Sequence, residues 1–201
     1  MIPDNVKNDV KKVFDQELKN DVKIVYHEDE KAQLNKETKE LLEEVASLND
    51  KISVEITQDG DVKPSFNLFG VNKGTVRFMG IPSGHEFSTL VSSIVMVSNG
   101  EHKLSEETVK FLEGLDKPLD LKVFITPTCP YCPAAVFLAH RLAMVSDKVT
   151  GSMVEAMEFP ELSQKFKVSG VPHTIINEQD GGFVGAHPEP SAIEEIKKVL
   201  K

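Results

Sequence analysis

The chain repeats itself once, at a spacing of roughly 100 residues, and this repetition is the strongest constraint on its fold. Three short segments of the first half recur in the same order in the second half; the matched pairs are 22–26 with 121–125, 53–56 with 153–156, and 77–82 with 182–187. Repetition over such a length indicates two copies of one supersecondary unit, here of the βαβ…ββα type. Each copy is long enough to form a core of its own.

Apolar periodicity places strands and helices in alternation along both halves. The first half has predicted strands at 21–26, 52–56, 65–69 and 75–79 and predicted helices at 4–18, 35–48 and 86–97, with Asp4 and Asn35 as N-caps. Ser105 is predicted to cap a further helix that ends at residue 115. The second half has predicted strands at 120–125, 150–157, 173–177 and 183–185 and predicted helices at 131–145, 160–166 and 191–200. We therefore predict an α/β fold of two fused domains, 1–115 and 116–201, each a mixed central sheet flanked by helices.

The only two cysteines of the chain, Cys129 and Cys132, lie where a predicted strand turns into a predicted helix. The first N–H groups of a helix have no partner within it and the helix dipole is positive there, so an anion is stabilised. Cysteines in this position have pKa values lowered from about 8.5 into a range of roughly 3.5 to 7.5, and the thiolate is the nucleophile. The spacing assigns Cys129 as the thiol that attacks a disulfide and Cys132 as the thiol that resolves the mixed disulfide.

Three other interpretations of the cysteine pair are weaker. A structural zinc site needs about four ligands, and the sequence has no second cysteine pair. A purely structural disulfide would constrain the unfolded chain little, because its loop is so short. Two ordinary buried thiols fit badly with the flanking prolines and with the polar Thr126 and Thr128. We therefore predict a redox pair, with no metal and no bound cofactor.

Composition and charge limit the partners and the location that we expect. The chain has 40% hydrophobic and 27% charged residues, as ordinary globular proteins do. Its net charge of −9 and its dispersed basic residues argue against nucleic acid as a partner. No apolar stretch approaches the roughly 20 residues that span a bilayer, and the N-terminal residues lack the pattern of a secretion signal. We expect a cytoplasmic protein with no membrane partner, in a compartment where disulfides are mostly transient and catalytic.

The two halves differ at the place where the cysteines lie. At the offset of the first matched pair, Glu30 stands in the position of Cys129 and Gln33 in the position of Cys132. The number of residues between Pro64 and Pro172 is larger than the offset between the matched strands. The difference arises because the first half lacks the short helix predicted at 160–166. The first half therefore has neither the thiols nor that part of the surrounding scaffold.

Several motifs resemble those of one known superfamily. A strand, the sequence Cys-Pro-Tyr-Cys at a helix start, and then a Val-Pro pair ahead of another strand resemble the thioredoxin and glutaredoxin superfamily. Residues 126–133, 153–156 and 170–172 are similar to the tandem protein disulfide oxidoreductases, also called glutaredoxin-like proteins. Residues 63–66 and 76–90 resemble the N-terminal domain of the alkyl hydroperoxide reductase flavoprotein, in which two fused thioredoxin folds share one redox pair.

This resemblance implies two thioredoxin-like domains, with Cys129 as nucleophile and Cys132 as resolving thiol. Pro130 and Tyr131, between the cysteines, are implied as supporting residues. Tyr131 either shapes the contact surface and the redox poise or is a tolerated spacer.

The resemblance also implies a substrate-binding edge beside the cysteines. Pro172 is expected to follow a cis peptide bond, although a turn proline is the simpler interpretation without the upstream motif. The backbone of Val171 would then be free to pair with an extended substrate peptide. Thr128 is expected to contact the same substrate.

Glu155 is a further candidate in the predicted strand 150–157, which we expect to be buried on both faces, with Met153 and Met157 alongside. A buried carboxyl beside a dithiol, with its pKa raised by desolvation, can accept or relay the proton of the resolving thiol. Glu55 has the matching place in the half without cysteines, which favours a structural role as the alternative. The six histidines are scattered, and we assign them no metal.

The predicted function is that of a thiol–disulfide oxidoreductase that exchanges a dithiol or disulfide with protein substrates. The resemblance implies that electrons come from NAD(P)H through a separate flavoprotein of the thioredoxin reductase type. One alternative is a dedicated electron carrier that reduces a peroxiredoxin. Another, from a different class, is a non-catalytic binding or chaperone module whose thiols are incidental. The direction of exchange depends on the reduction potential, which the sequence does not set.

Overall fold

A computed structural model describes residues 2–178 and 181–200 of the chain. Its elements are α1 (Asp4–Glu17), β1 (Val22–His27), α2 (Asn35–Ala46), β2 (Ile52–Thr57), β3 (Ser65–Phe69), β4 (Thr75–Met79), α3 (Glu86–Asn99), α4 (Glu106–Glu113), β5 (Leu119–Ile125), α5 (Cys132–Ala143), β6 (Val149–Glu155), α6 (Pro160–Lys165), β7 (His173–Ile176), β8 (Gly182–Val184) and α7 (Glu189–Val199). We call α1 to α3 the first unit and β5 to α7 the second unit. Within the described residues, no helix has both the length and the apolar composition needed to cross a membrane.

The strands form one mixed sheet in the order β2-β1-β3-β4-β6-β5-β7-β8. In the first unit β1 pairs in parallel with β2 and antiparallel with β3, which pairs antiparallel with β4. The second unit repeats these relations with β5, β6, β7 and β8. The predicted fold class, two fused units that each contribute a mixed sheet, is therefore confirmed. As the sequence predicts, α6 lies between β6 and β7, and the described residues between β2 and β3 contain no helix.

The two units join through parallel pairing of β4 with β6, from Thr75 opposite Thr150 to Met79 opposite Val154. This pairing makes β6 an internal strand, whereas β2, its counterpart in the first unit, is a sheet edge. Glu155 at the end of β6 is therefore buried, whereas Glu55 is on the surface in an ion pair with Lys23. The repeat matches the two glutamates by position, but the fold gives them different surroundings.

The helix α4 contacts α7 of the second unit. The Lys197 ammonium lies 5.1 Å from the centre of the Phe111 ring and 3.6 Å from the Glu107 carboxylate. The first unit ends where Gly100 caps α3 in the left-handed region, at φ 80°. The domain boundary near residue 116 stays a prediction, and from these contacts we propose a division after Gly100 that keeps α4 with the second unit.

Three predicted helix caps can be compared with the structure. Ser105 is confirmed, because its hydroxyl accepts a hydrogen bond from the Thr108 N–H. The predicted caps Asp4 and Asn35 are wrong: each is the first residue of its helix, and the preceding residue occupies the cap position without a side-chain bond. The side chain of Asn35 is used elsewhere, since its Oδ1 accepts the hydroxyl proton of Tyr26 at 2.8 Å.

The predicted strand at 150–157 is two residues too long. The strand ends at Glu155, because the Glu155 carboxylate accepts the N–H of Glu158 at 2.7 Å and the backbone turns there. Met153 is buried as expected, whereas Met157 lies beyond the strand and is 77% exposed. The expectation that Met157 is buried is therefore wrong.

His140 on α5 connects the second unit to two elements of the first unit. Its Nε2 lies 3.1 Å from the carbonyl oxygen of Arg77 on β4, and its Nδ1 lies 2.9 Å from the hydroxyl of Ser93 on α3. A carbonyl can only accept, so Nε2 carries the proton and Nδ1 accepts from Ser93. Complete burial lowers the pKa of His140 to about 4. His140 is thus a neutral, fully bonded residue at the junction between the units.

Two glycines let the segment after β4 approach the second unit closely. Gly80 has φ +90°, and a Cβ there would lie 2.6 Å from a carboxylate oxygen of Glu158. Gly84 has φ +59°, and a Cβ there would collide with the carbonyl oxygen of Pro127. The following N–H, that of His85, donates to the same Pro127 carbonyl at 3.1 Å. Residues 80–85 of the first unit therefore lie directly against the loop that precedes Cys129.

We expect His140→Gln to remove a pH dependence from the stability. The unfolded chain takes up a proton at His140 below about pH 6.5, whereas the folded protein does so only near pH 4, so stability falls as the pH decreases through this interval. Urea unfolding measures the free energy of unfolding at about pH 7 and at about pH 4. Between these two pH values, that free energy should fall by about 3 kcal/mol more in wild type than in the variant. The exposed His85→Gln is the matched control; an equal loss in wild type and His140→Gln would contradict the assignment.

Gly84→Ala should destabilise the protein by about 2 kcal/mol, because the new methyl group meets both a positive φ and the Pro127 carbonyl oxygen. Gly170→Ala is the matched control, since nothing lies within 4 Å of its Cβ position. That variant should change the free energy of unfolding by less than about 0.5 kcal/mol. Urea titrations at constant pH measure the free energy of unfolding of both variants. Equal changes in Gly84→Ala and Gly170→Ala would show that the contact at Gly84 is not tight.

Candidate functional site

Cys129 and Cys132 form a disulfide at the junction of β5 and α5, with their Cα atoms 5.5 Å apart. The strand ends at Ile125, and the helix begins at Cys132 itself. The backbone N–H of Cys132, at the helix N-terminus, donates to the sulfur of Cys129 at 3.2 Å. A donor in this position stabilises negative charge on that sulfur once the disulfide is reduced. Cys129 is 8% exposed and Cys132 is fully buried, so an incoming disulfide can reach only Cys129.

The residues beside Cys129 form an exposed rim. Thr128 and Pro130 are exposed, and Tyr131, the residue before α5, is 71% exposed. Aromatic residues are enriched in surfaces that contact other proteins, and an exposed tyrosine beside Cys129 fits such a surface. The structure therefore places these residues where the sequence predicts them, and their individual roles stay predictions.

The Val171–Pro172 pair lies at the same end of the sheet as the cysteines. The register of β5 with β7 pairs Phe124 with His173, so the residues just before His173 lie beside the loop that follows β5. The Val171–Pro172 peptide bond is cis, as expected. Among the described residues, neither the N–H nor the carbonyl of Val171 has a backbone hydrogen-bond partner. Its substrate-binding role stays a prediction.

Glu155 also lies at this end of the sheet, since it pairs with Ile125 at the end of β5. It is 3% exposed, and burial raises the pKa of its carboxyl above the ordinary value, a shift that the hydrogen bond from the Glu158 N–H opposes. Within the described residues, its Oε1 is buried without a hydrogen-bond partner. Burial also raises the pKa of the Glu158 carboxyl, and the negative charge of the nearby Glu155 raises it further.

A second buried carboxyl, Glu86, belongs to the first unit and was not predicted from the sequence. It is fully buried in the first turn of α3, and within the described residues neither carboxyl oxygen has a hydrogen-bond partner. Burial raises the pKa of Glu86 to about 7, opposed in part by the Thr89 hydroxyl. Thr89 lines a surface cleft together with Pro133, the residue after Cys132. The first turn of α3 therefore packs beside the first turn of α5.

A signal for Glu86 does exist in the sequence. Glu86 is the only charged residue in the 14 residues of α3, which are otherwise apolar or small and polar. A single carboxyl in a helix that is apolar on nearly all sides must be either buried or at an end of the helix. What the sequence could not supply is the second unit against which this helix packs.

The matching positions of the first unit cannot perform thiol chemistry. Glu30 and Gln33 are exposed, and Glu30 accepts a hydrogen bond from the side chain of Gln58 at 2.8 Å. Among the described residues, no three or more His, Cys, Asp or Glu side chains are grouped so as to hold a metal ion. The prediction that no cofactor is bound remains a prediction.

Comparisons with known proteins agree with this geometry. Residues 119–198 match the thioredoxin domain family. Over 148 residues, or 73% of the chain, the sequence is 31% identical to the alkyl hydroperoxide reductase AhpF of Staphylococcus epidermidis. The chain spans only 28% of the length of that relative.

Two solved structures resemble the whole chain. The NTD N/C domain of alkylhydroperoxide reductase AhpF from Enterococcus faecalis is 25% identical in sequence and superposes with a TM-score of 0.84. The superposition covers 100% of this chain and 100% of that one. A protein disulfide oxidoreductase from Aeropyrum pernix superposes with a TM-score of 0.88 over 98% of this chain and 93% of that one; at 24% identity it supports the fold alone. The resemblance predicted from the sequence is thus confirmed. This chain is a thioredoxin-fold redox protein, related to the N-terminal domain of the alkyl hydroperoxide reductase AhpF.

Proposed function

We propose that the protein is a thiol–disulfide oxidoreductase whose substrates are disulfide-containing proteins. One observation carries this proposal: the sulfur of Cys129, a residue that is 8% exposed, accepts a hydrogen bond from a helix N-terminal N–H, while its partner Cys132 is fully buried. This asymmetry separates an attacking thiol from a resolving thiol, as thiol–disulfide exchange requires. The exposed rim at Thr128, Pro130 and Tyr131 supports a macromolecular substrate.

In the reducing direction the reaction has two exchange steps. The Cys129 thiolate attacks one sulfur of the substrate disulfide; that bond breaks, and the other substrate sulfur leaves as a thiolate that takes up a proton. The Cys132 thiol then loses its proton and attacks the Cys129 sulfur, which breaks the mixed disulfide and releases the second substrate thiol. Two electrons have then passed to the substrate, and the Cys129–Cys132 disulfide has formed. The opposite direction runs the same steps in reverse.

The second step needs a group that accepts the proton of the buried Cys132 thiol. We propose Glu86 for this role, because its pKa of about 7 suits a base at neutral pH and Thr89, one helical turn after it, lines a cleft with Pro133 at the start of α5.

Glu155 is the second candidate for the proton acceptor. We rank it below Glu86 because one of its carboxyl oxygens already accepts a hydrogen bond from the Glu158 N–H. Val171 is proposed to hold the substrate backbone beside Pro172 during both steps.

The electron donor that we propose is NAD(P)H, through a separate flavoprotein of the thioredoxin reductase type. A second candidate function is that of a dedicated electron carrier for a peroxiredoxin. It is favoured by the likeness to the alkyl hydroperoxide reductase AhpF along most of the chain. We further propose that the protein acts in the cytoplasm, without a bound cofactor of its own.

Replacing each cysteine separately should give two different defects. With dithiothreitol as donor, Cys129→Ser should reduce insulin disulfides no faster than dithiothreitol does without protein, because the attacking sulfur is gone. Reduced Cys132→Ser should instead accumulate a covalent complex with insulin, visible on a non-reducing gel, because the mixed disulfide cannot be resolved.

The two variants are matched controls for each other, since each loses one sulfur of the same pair. Full activity in Cys129→Ser would contradict the catalytic proposal and favour a non-catalytic binding module. Wild-type turnover with a peroxiredoxin and a flavoprotein reductase, combined with none on insulin, would favour the dedicated carrier.

Glu86→Gln should lower the rate of the resolving step by about 100-fold at neutral pH, because the proton acceptor is lost. In wild type this rate should rise with pH to a plateau above about 7, as the Glu86 carboxyl ionises. The variant should lose this inflection. Stopped-flow release of the second substrate thiol from a preformed mixed disulfide measures the step directly.

Glu106→Gln is the matched control, since Glu106 is also the first residue of its helix but is exposed. It should leave the pH profile unchanged. An inflection that persists in Glu86→Gln and disappears in Glu155→Gln would assign the proton transfer to Glu155 instead.

A further inference from the structure

A groove of about 430 Å³ lies beside the redox loop, between the two units. The first unit contributes Gln33, Pro64 and Ile81 to its walls, and the second unit contributes Pro127 and Met157. We call this the inter-unit groove. Pro127 is two residues before Cys129, so a polypeptide that reaches the redox pair can also reach the groove.

The charged groups among the described lining residues of the inter-unit groove are all acidic. Glu155 and Glu158 line it, whereas no lysine, arginine or histidine is among its described lining residues. Glu158 is engaged, because one of its oxygens accepts the Ile81 N–H at 2.7 Å. Glu155 is 3% exposed, and within the described residues its Oε1 has no partner. The groove therefore offers a bound partner two carboxyl groups and no competing cation among its described lining residues, which favours a basic side chain.

The inter-unit groove and the rim of the redox site each have a large, exposed apolar side chain. Met157 lines the groove and is 77% exposed, and Tyr131 beside Cys129 is 71% exposed. Large exposed apolar side chains next to a groove are typical of a surface that binds another chain. Both the groove and the rim therefore present such side chains to a partner, and Pro127 connects them along the chain.

The first unit also presents unpaired backbone at this place. Lys63, which precedes Pro64 as Val171 precedes Pro172, has no backbone hydrogen bond to another backbone group among the described residues. Free N–H and carbonyl groups beside a groove suit an extended chain, which offers the same groups in return. The first unit thus has unpaired backbone at the counterpart of Val171.

From these observations we infer that the inter-unit groove binds an extended segment of the client polypeptide that combines an apolar residue with a lysine or arginine. The apolar side chain packs against Pro64, Ile81 and Met157, and the basic side chain lies against the carboxyl groups of Glu155 and Glu158. The inference rests on the proposed function for its choice of occupant, a protein client. It gives the first unit a role in client recognition, separate from electron transfer.

The test measures binding without redox chemistry. In a Cys129→Ser background, fluorescence anisotropy follows a labelled, cysteine-free peptide of alternating leucine and lysine. Gln33→Arg places a cation inside the groove and should weaken binding at least tenfold, because it repels the peptide and can itself pair with the groove carboxylates. Gln16→Arg, the same substitution at an exposed site on α1, is the matched control and should leave the affinity unchanged.

The outcomes separate this inference from the proposed function. Equal affinities in Gln33→Arg and Gln16→Arg, or no binding by the starting protein, would overturn the inference. Equally tight binding of a leucine and glutamate peptide would overturn the role of the acidic wall. Peptide binding that depends on Gln33, in a protein whose wild type does not reduce insulin, would uphold the groove and reject only the reductase proposal.

Discussion

The pairing of β4 with β6 is the interaction on which the rest of the site depends. It joins two four-stranded sheets into one and fixes the register between Thr75–Met79 of β4 and Thr150–Val154 of β6. Because β4 continues into residues 80–85, the same pairing brings that segment against the carbonyl of Pro127. It also brings α3 beside α5, where Ser93 and His140 meet. The environment of the redox pair is therefore built by both units, although its sulfurs come from one.

The duplicated units have diverged in environment as well as in sequence. Glu155 ends an internal strand and is buried, whereas Glu55 lies on an edge strand and pairs with Lys23 at the surface. The match between Glu155 and Glu55 in the repeat favours a structural role for Glu155. This argument is weakened, because the two carboxyl groups have different surroundings. The first unit supplies a buried carboxyl, Glu86, and one wall of a groove. In the proposed mechanism, its contribution is to surround and position the chemistry of the second unit.

Local features of this site could be predicted from the sequence, whereas features created by contacts between the units could not. The cysteine pair at a strand-to-helix turn depends on residues close together in the chain, and the structure places it as predicted. Glu86 and His140 acquire their shifted pKa values only when α3 packs on α5, a contact between residues distant in sequence. Asn35 failed as a cap because Tyr26 competes for its side chain. Met157 failed as a core residue because a single side-chain hydrogen bond ends the strand at Glu155.

The reduction potential of the Cys129–Cys132 pair tests the central claim most directly, because it distinguishes a reversible redox centre from a structural disulfide. The protein would be equilibrated in thiol–disulfide buffers of stepped potential and its free thiols counted by maleimide alkylation. The account predicts one two-electron transition with a midpoint between about −300 and −120 mV. A pair that stays oxidised below about −300 mV would be a structural disulfide and would contradict the account.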